Sequence, residues 1–162
     1  MNNLHQLDLA LVAHCYPPVT EYPTDLAELN TNDVTPELFV CPVSHNEPGA
    51  LSNTMEWTDY IYVSGLNPTV PEGVPVLICP PMFHQTAKGK GATVLDTDHS
   101  TQWVTDTQLV DQLIENPLLR FSNGVPSTIS NLYVHVSPRI EQQSKGRYRS
   151  HTVPLPVRKE EP

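Results

Sequence analysis

The 162-residue sequence has no apolar run approaching the ~18 residues that cross a membrane, and Met1 is followed by Asn2 and Asn3 rather than by a basic start and an apolar stretch. Neither a membrane span nor a signal peptide is expected, and the chain reads as soluble as it stands. Basic residues are scarce, nine against eighteen acidic ones, for a net charge of −9. Nucleic-acid affinity rests on Lys and Arg neutralising phosphates, so a nucleic-acid partner is excluded. The three cysteines, Cys15, Cys41 and Cys79, are too few for a disulfide scaffold. No GxSxG or HExxH motif occurs, and Gly89-Lys90-Gly91 lacks the rest of a phosphate-binding loop. With no nucleophile, base and orienting acid in recognisable order, a non-enzymatic role is expected. Hydrophobic residues make up 38% of the chain, below the usual 45–50% or so, which suits one core with loop or tail beside it.

Proline is abundant, with seventeen residues, and it punctuates the reading. Leu4, Leu7, Leu11 and Cys15 recur at three- and four-residue spacing, which predicts an amphipathic helix from Asn2 to about Cys15, stopped by Pro17 and Pro18. A short helix is expected over Asp25–Leu29 behind Thr24, and a further turn at Thr35-Pro36-Glu37. Strand-like runs follow at Tyr60–Val63, Val74–Ile78, Ala92–Leu95, Thr101–Val104 and Leu132–Val136. Pro75 assigns its run to an edge position or a late start. Between the last two runs, Thr105 is expected to cap a helix that ends before Pro117. These elements give an α+β fold, an N-terminal helix packed on a small antiparallel sheet with a C-terminal extension.

Charge is uneven along the chain. Six basic residues and three acidic ones follow Pro138, leaving about +3 there and about −12 before it. The division expected is a globular domain over 1–137 and a flexible basic arm over 138–162, with Pro154–Arg158 resembling a PxxP ligand. Two pairs carry potential metal chemistry, Cys41-x3-His45 and Cys79-x4-His84. Two thiolates and two imidazoles would complete a tetrahedral zinc site if the two loops met. A Cys41–Cys79 disulfide and simple burial of the two thiols are the other readings, since a free Cys also serves as a small buried hydrophobe. Asp96 and Asp98, with His99 and His84 nearby, are candidate calcium ligands, against a turn in which Asp and Ser bond their own backbone. Trp57 and Trp103 read as core or sheet-face residues.

Four ordered segments resemble the prepilin-like proteins with an H-x9-DG signature that abound in planctomycetes. They are Met1–Leu11 (similar to NNLKQIGLAL), Tyr22–Leu29 (FPPDLAAL), Pro36–Pro42 (LFxCPSD) and Val94–Val104 (VLFADGHVEWV), with His84 as the signature histidine. Thirteen residues separate His84 from Asp98, and His99 stands where the signature has glycine. The resemblance spans roughly residues 1–115. It implies a pilin-like globular domain and a pseudopilin-like structural subunit of a type IV pilus or type II secretion-like filament. Its partners would be other pilin-like subunits, or itself, through the N-terminal helix. It also implies that an apolar N-terminal segment precedes Met1, which would supply the only membrane contact and a cell-envelope location. Major pseudopilins of that fold carry calcium in a loop. The alternative is a soluble metal- or ligand-binding accessory protein on the same type of domain.

Overall fold

The computed structural model describes residues 2–15, 20–29, 33–68, 70, 73–86, 89–120, 129 and 131–155. Helix α1 (Asn2–His14) is followed by single 3-10 turns at Leu26–Leu29 and Pro36–Phe39 and by a 3-10 segment at Leu51–Glu56 that is kinked at Asn53. Strands β1 (Ile61–Ser64) and β2 (Pro75–Cys79) come next, then a 3-10 turn at Pro81–Phe83 and the two-residue strands β3 (Gln85–Thr86) and β4 (Gly89–Lys90). The chain continues through β5 (Ala92–Asp96), β6 (Thr101–Val104), α2 (Thr107–Glu115), β7 (Leu132–His135), α3 (Pro138–Gln143) and β8 (His151–Val153). Six strands form one sheet in the order β6-β5-β2-β1-β7-β8, every neighbouring pair antiparallel, and β3 pairs with β4 as a separate hairpin.

The central strands are buried along their whole length, as Ile61-Tyr62-Val63-Ser64 and Pro75-Val76-Leu77-Ile78-Cys79. Their near-continuous apolar runs mark strands covered on both faces, whereas β7 alternates buried and half-buried residues. Pro75 does not sit on an edge. It is the first residue of β2, where no ladder donor is needed, and the register shifts between Pro75 and Leu77. Helix α1 buries Leu4, Leu7 and Leu11 in the common core and lies against β5 and the turns at Leu26–Leu29 and Pro36–Phe39. The expected proline stop at Pro17 and Pro18 lies outside the described residues. Helix α2 is capped by Asp106 rather than Thr105, its carboxylate accepting from the N–H of Gln108 at 3.1 Å and of Leu109 at 3.2 Å. Its buried face is Val110, Leu113 and Ile114, with Leu109 only half-buried.

The arm expected from residue 138 is corrected by the structure as far as residue 155. Ser137 caps α3, Pro138 takes the helix's first turn, and Ile140, Tyr148 and Val153 are buried. Strand β8 extends the sheet, with Leu132 opposite Val153 and Val134 opposite His151. The Tyr148 hydroxyl donates to Asp111 at 2.8 Å, and Arg147 pairs with the same carboxylate, so this segment is tied to α2. Three apolar side chains in eighteen residues show no periodicity, yet each fills a place in the core. The remaining residues of the expected arm, 156–162, with Pro156-Val157-Arg158 of the PxxP-like stretch, lie outside the described residues.

Candidate metal centre

Cys41 follows the turn Pro36–Phe39, and its position is set by the segment leading into β1. The Asp59 N–H and the Thr58 hydroxyl both donate to the Phe39 carbonyl, at 3.0 and 2.9 Å, while the Cys41 N–H donates to the Asp59 carboxylate at 2.9 Å. Asn3 of α1 donates to the Val40 carbonyl at 3.0 Å from the other side. Asp59 is fully buried and serves as an acceptor hub. Besides Cys41 it receives the Ser44 hydroxyl, and the Asn46 amide at 2.7 Å. Burial pushes its carboxyl above the usual range, and these hydrogen bonds oppose the rise. The loop 42–46 is thereby pinned to the protein at Ser44 and Asn46, on either side of His45.

The second strand of the site is local. Cys79 ends β2, opposite Thr93 of β5. Pro80 is extended and the chain then makes one 3-10 turn, closed by the His84 N–H donating to the Pro81 carbonyl at 3.0 Å. This turn folds His84 back over the strand end, with its Nε2 at 3.0 Å from the Cys79 sulfur and 3.5 Å from the Cys41 sulfur. The two sulfurs and the imidazole nitrogen all lie within 4.8 Å of one another. Cys41 and Cys79 are 2% and 1% exposed and His84 is half-buried, with Trp103 of β6 edge-on to its ring at 5.2 Å. None of the three cysteines is disulfide-bonded in this structure, and the Cys41 and Cys79 sulfurs lie side by side.

Electrostatics separate the two thiols. Cys41 is pulled well below an ordinary thiol, chiefly because the Cys79 thiol donates to its sulfur, with burial opposing and His84 assisting. Cys79 is pushed well above by burial, and by giving its proton to that hydrogen bond. Two sulfurs and an imidazole in one corner form a soft donor set. A d10 cation such as Zn2+ prefers that set, and it would displace thiol protons on binding.

The other predicted ligands are placed differently. His45 lies outside the triad, exposed on the loop with φ +60°. Asp96 points inward, 1% exposed in its side chain, and holds Arg120 at 3.1 Å. Asp98 is exposed and accepts from the Ser100 N–H at 3.0 Å and the Ser100 hydroxyl at 2.6 Å. His99 reaches away to Asp8 of α1 at 2.9 Å. Asp96 and Asp98 are therefore engaged separately, one by a guanidinium and one by its own turn. Among the described residues, Cys41, Cys79 and His84 are the one group of three or more such side chains whose donor atoms converge.

Sequence reasoning missed Asp59 and Trp103 as parts of this corner. Asp59 carried one signal, a carboxylate directly before the apolar run Tyr60–Val63. Trp103, expected in the core or on a sheet face, lies on β6 with its ring roughly perpendicular to that of His84. Among the described residues no helix is long and apolar enough to cross a membrane. No family model matches the chain, and no curated protein or solved structure is significantly similar to it.

Proposed function

We propose that this chain is a non-enzymatic metal-binding domain whose Cys41, Cys79 and His84 hold one zinc ion in a structural role. The observation that supports the reading is the convergence of two thiol sulfurs and one imidazole nitrogen within 4.8 Å. The donor types suit zinc and exclude the hard-oxygen preference of calcium or magnesium. The ligands come from two segments distant in sequence, the loop after Pro36–Phe39 and the end of β2. A metal there would tie the N-terminal third of the chain to the sheet. Such cross-linking is the work of structural zinc, because the site is absent from the unfolded chain and binding free energy becomes folding free energy. The test is zinc analysis of purified protein together with a count of reactive thiols. One zinc per chain is expected, with Cys41 and Cys79 protected until a chelator is added. Protein that takes up no zinc and shows every thiol reactive without chelator would sink the reading.

A second reading, compatible with the first, is supported by α1. Its inner face is buried, but Leu9 and Val12 are 58% and 42% exposed. Beside them lies a cavity of about 450 Å³, lined by Leu9, Ala10, Ala13, Leu29 and Val34 among others. In a pseudopilin-like subunit this helix face would meet a neighbouring subunit, with the sheet turned outward. The domain would then be a pilin-like structural module carrying its own metal clamp. Sedimentation of wild type and of the double variant Leu9→Asp, Val12→Asp tests this: association that is lost in the variant supports it, and identical monomers in both discard it.

A further inference from the structure

Three donors leave one vertex of a tetrahedral zinc site open. Resting on the zinc reading above, we propose that His45 is the fourth ligand, turning from solvent into the cavity beside Cys41 when the metal binds.

His45 stands four positions after Cys41, just past the turn closed by the Ser44 N–H donating to the Cys41 carbonyl at 3.0 Å. A cavity of about 320 Å³ is lined by both His45 and Cys41, together with Asn3, Glu37, Pro42 and Pro48 among others. The imidazole thus borders the same open space as Cys41, on the side of the turn away from Cys79 and His84, neither of which lines it. Its ring makes no hydrogen bond or ion pair among the described residues, so nothing there must be broken for it to move. Its backbone has φ +60°, the left-handed region, in which His, like Asn and Asp, is found more often than other non-glycine residues. The neighbours Ser44 and Asn46 are both held by Asp59, so the loop stays in place while the side chain swings. The competing donor in the cavity is Glu37, an exposed carboxylate. Beside two thiolates, an imidazole nitrogen is the better match for zinc, and a Cys2His2 set is one of its recurring structural combinations. Asp59 is excluded because its oxygens already accept from Cys41, Ser44 and Asn46.

The experiment compares zinc affinity, by competition with a chromophoric chelator, in wild type, His45→Ala, His45→Gln, Glu37→Ala and His84→Ala, with Co2+ absorption spectra of each. A direct ligand should cost at least the roughly 10–100-fold that outer-shell partners cost, so both His45 variants should weaken binding by that much or more. Their Co2+ spectra should change as water replaces nitrogen. Glu37→Ala should bind as wild type does, and the melting temperature of metal-free His45→Ala should be unchanged, because the residue is exposed. Equal affinity in His45→Ala and wild type overturns the proposal, as does a loss confined to Glu37→Ala. Wild type that binds no zinc, or binds it undiminished in His84→Ala, is a different failure, that of the zinc centre itself.

Discussion

Two turns of this molecule offer metal-ligand residues at close spacing, the corner of Cys41, Cys79 and His84 and the turn from Asp96 to Ser100. They end in opposite chemistry. In the corner, donors from separate segments converge on one point while their polar surroundings are satisfied, because Asp59 absorbs the N–H and hydroxyl groups around them. In the turn, each carboxylate is consumed by a partner of its own, Asp96 by Arg120 and Asp98 by Ser100. Ligand-type residues make a site only when nothing nearer neutralises them. The contrast also extends to burial. The Asp96 Oδ1 is buried with no partner among the described residues, and burial raises this carboxyl above its usual range while Arg120 opposes the rise.

The largest effect should come from removing the hub of the corner. Asp59→Ala leaves the Cys41 N–H without its acceptor and takes one of two from Ser44 and from Asn46, which keep the Cys41 carbonyl and Gln143; losing three bonds to a charged group should destabilise by about 3–5 kcal/mol in denaturant unfolding. It should also weaken metal binding, since Cys41 loses its positioning. A mild effect on both would break the claim that Asp59 organises the corner.

Next is Arg120→Ala, which strands a buried carboxylate in the turn and should cost about 3 kcal/mol at neutral pH. The sign with pH follows from the raised Asp96 value. A carboxyl held above its unfolded pKa favours the folded state when protonated, so its contribution is present at low pH and lost as pH rises through the folded value. The deficit of Arg120→Ala should therefore shrink as pH falls from 7 towards 4, whereas a deficit independent of pH would show that Asp96 is not the charge at fault.

Zinc sharpens the comparison directly. At a free concentration a hundredfold above its dissociation constant, zinc should stabilise wild type by about 2.7 kcal/mol, read as a rise in melting temperature. Cys79→Ser should show no such rise, and calcium should give none in either protein. A calcium response that Asp98→Ala abolishes would reinstate the turn as the metal site. Without metal, Asp98→Ala should be the smallest change, within about 1 kcal/mol, because it removes only exposed bonds from the N–H and hydroxyl of Ser100.

The segment 138–155 shows the limit of reading charge and composition. Its basic, proline-containing character suggested an arm, but Ile140, Tyr148 and Val153 are enough to dock it on β7 and α2. Three contacts spread over eighteen residues have no sequence period to detect. The reverse held for α1, where Leu4, Leu7 and Leu11 displayed their spacing openly and are buried. The candidate site was legible as residue types: Cys41, His45, Cys79 and His84 were named by their pairing, and three of them converge. Asp59 was not legible, because a single carboxylate before a strand looks the same whether it faces water or supports a buried loop.

By itself the sequence determined the helix at the start, the strand-bearing runs, the acidic surface charge and the supply of soft ligands, since each depends on local spacing or on composition. Tertiary structure alone decided that β2 lies inside the sheet, that β8 joins it, and that the loop after Phe39 meets the end of β2. Antiparallel pairing brings together residues dozens of positions apart, and no local pattern encodes which thiol will face which imidazole. That is why Cys41 lies at 3.5 Å from His84, forty-three positions along the chain, while His45, four positions away, lies outside the triad.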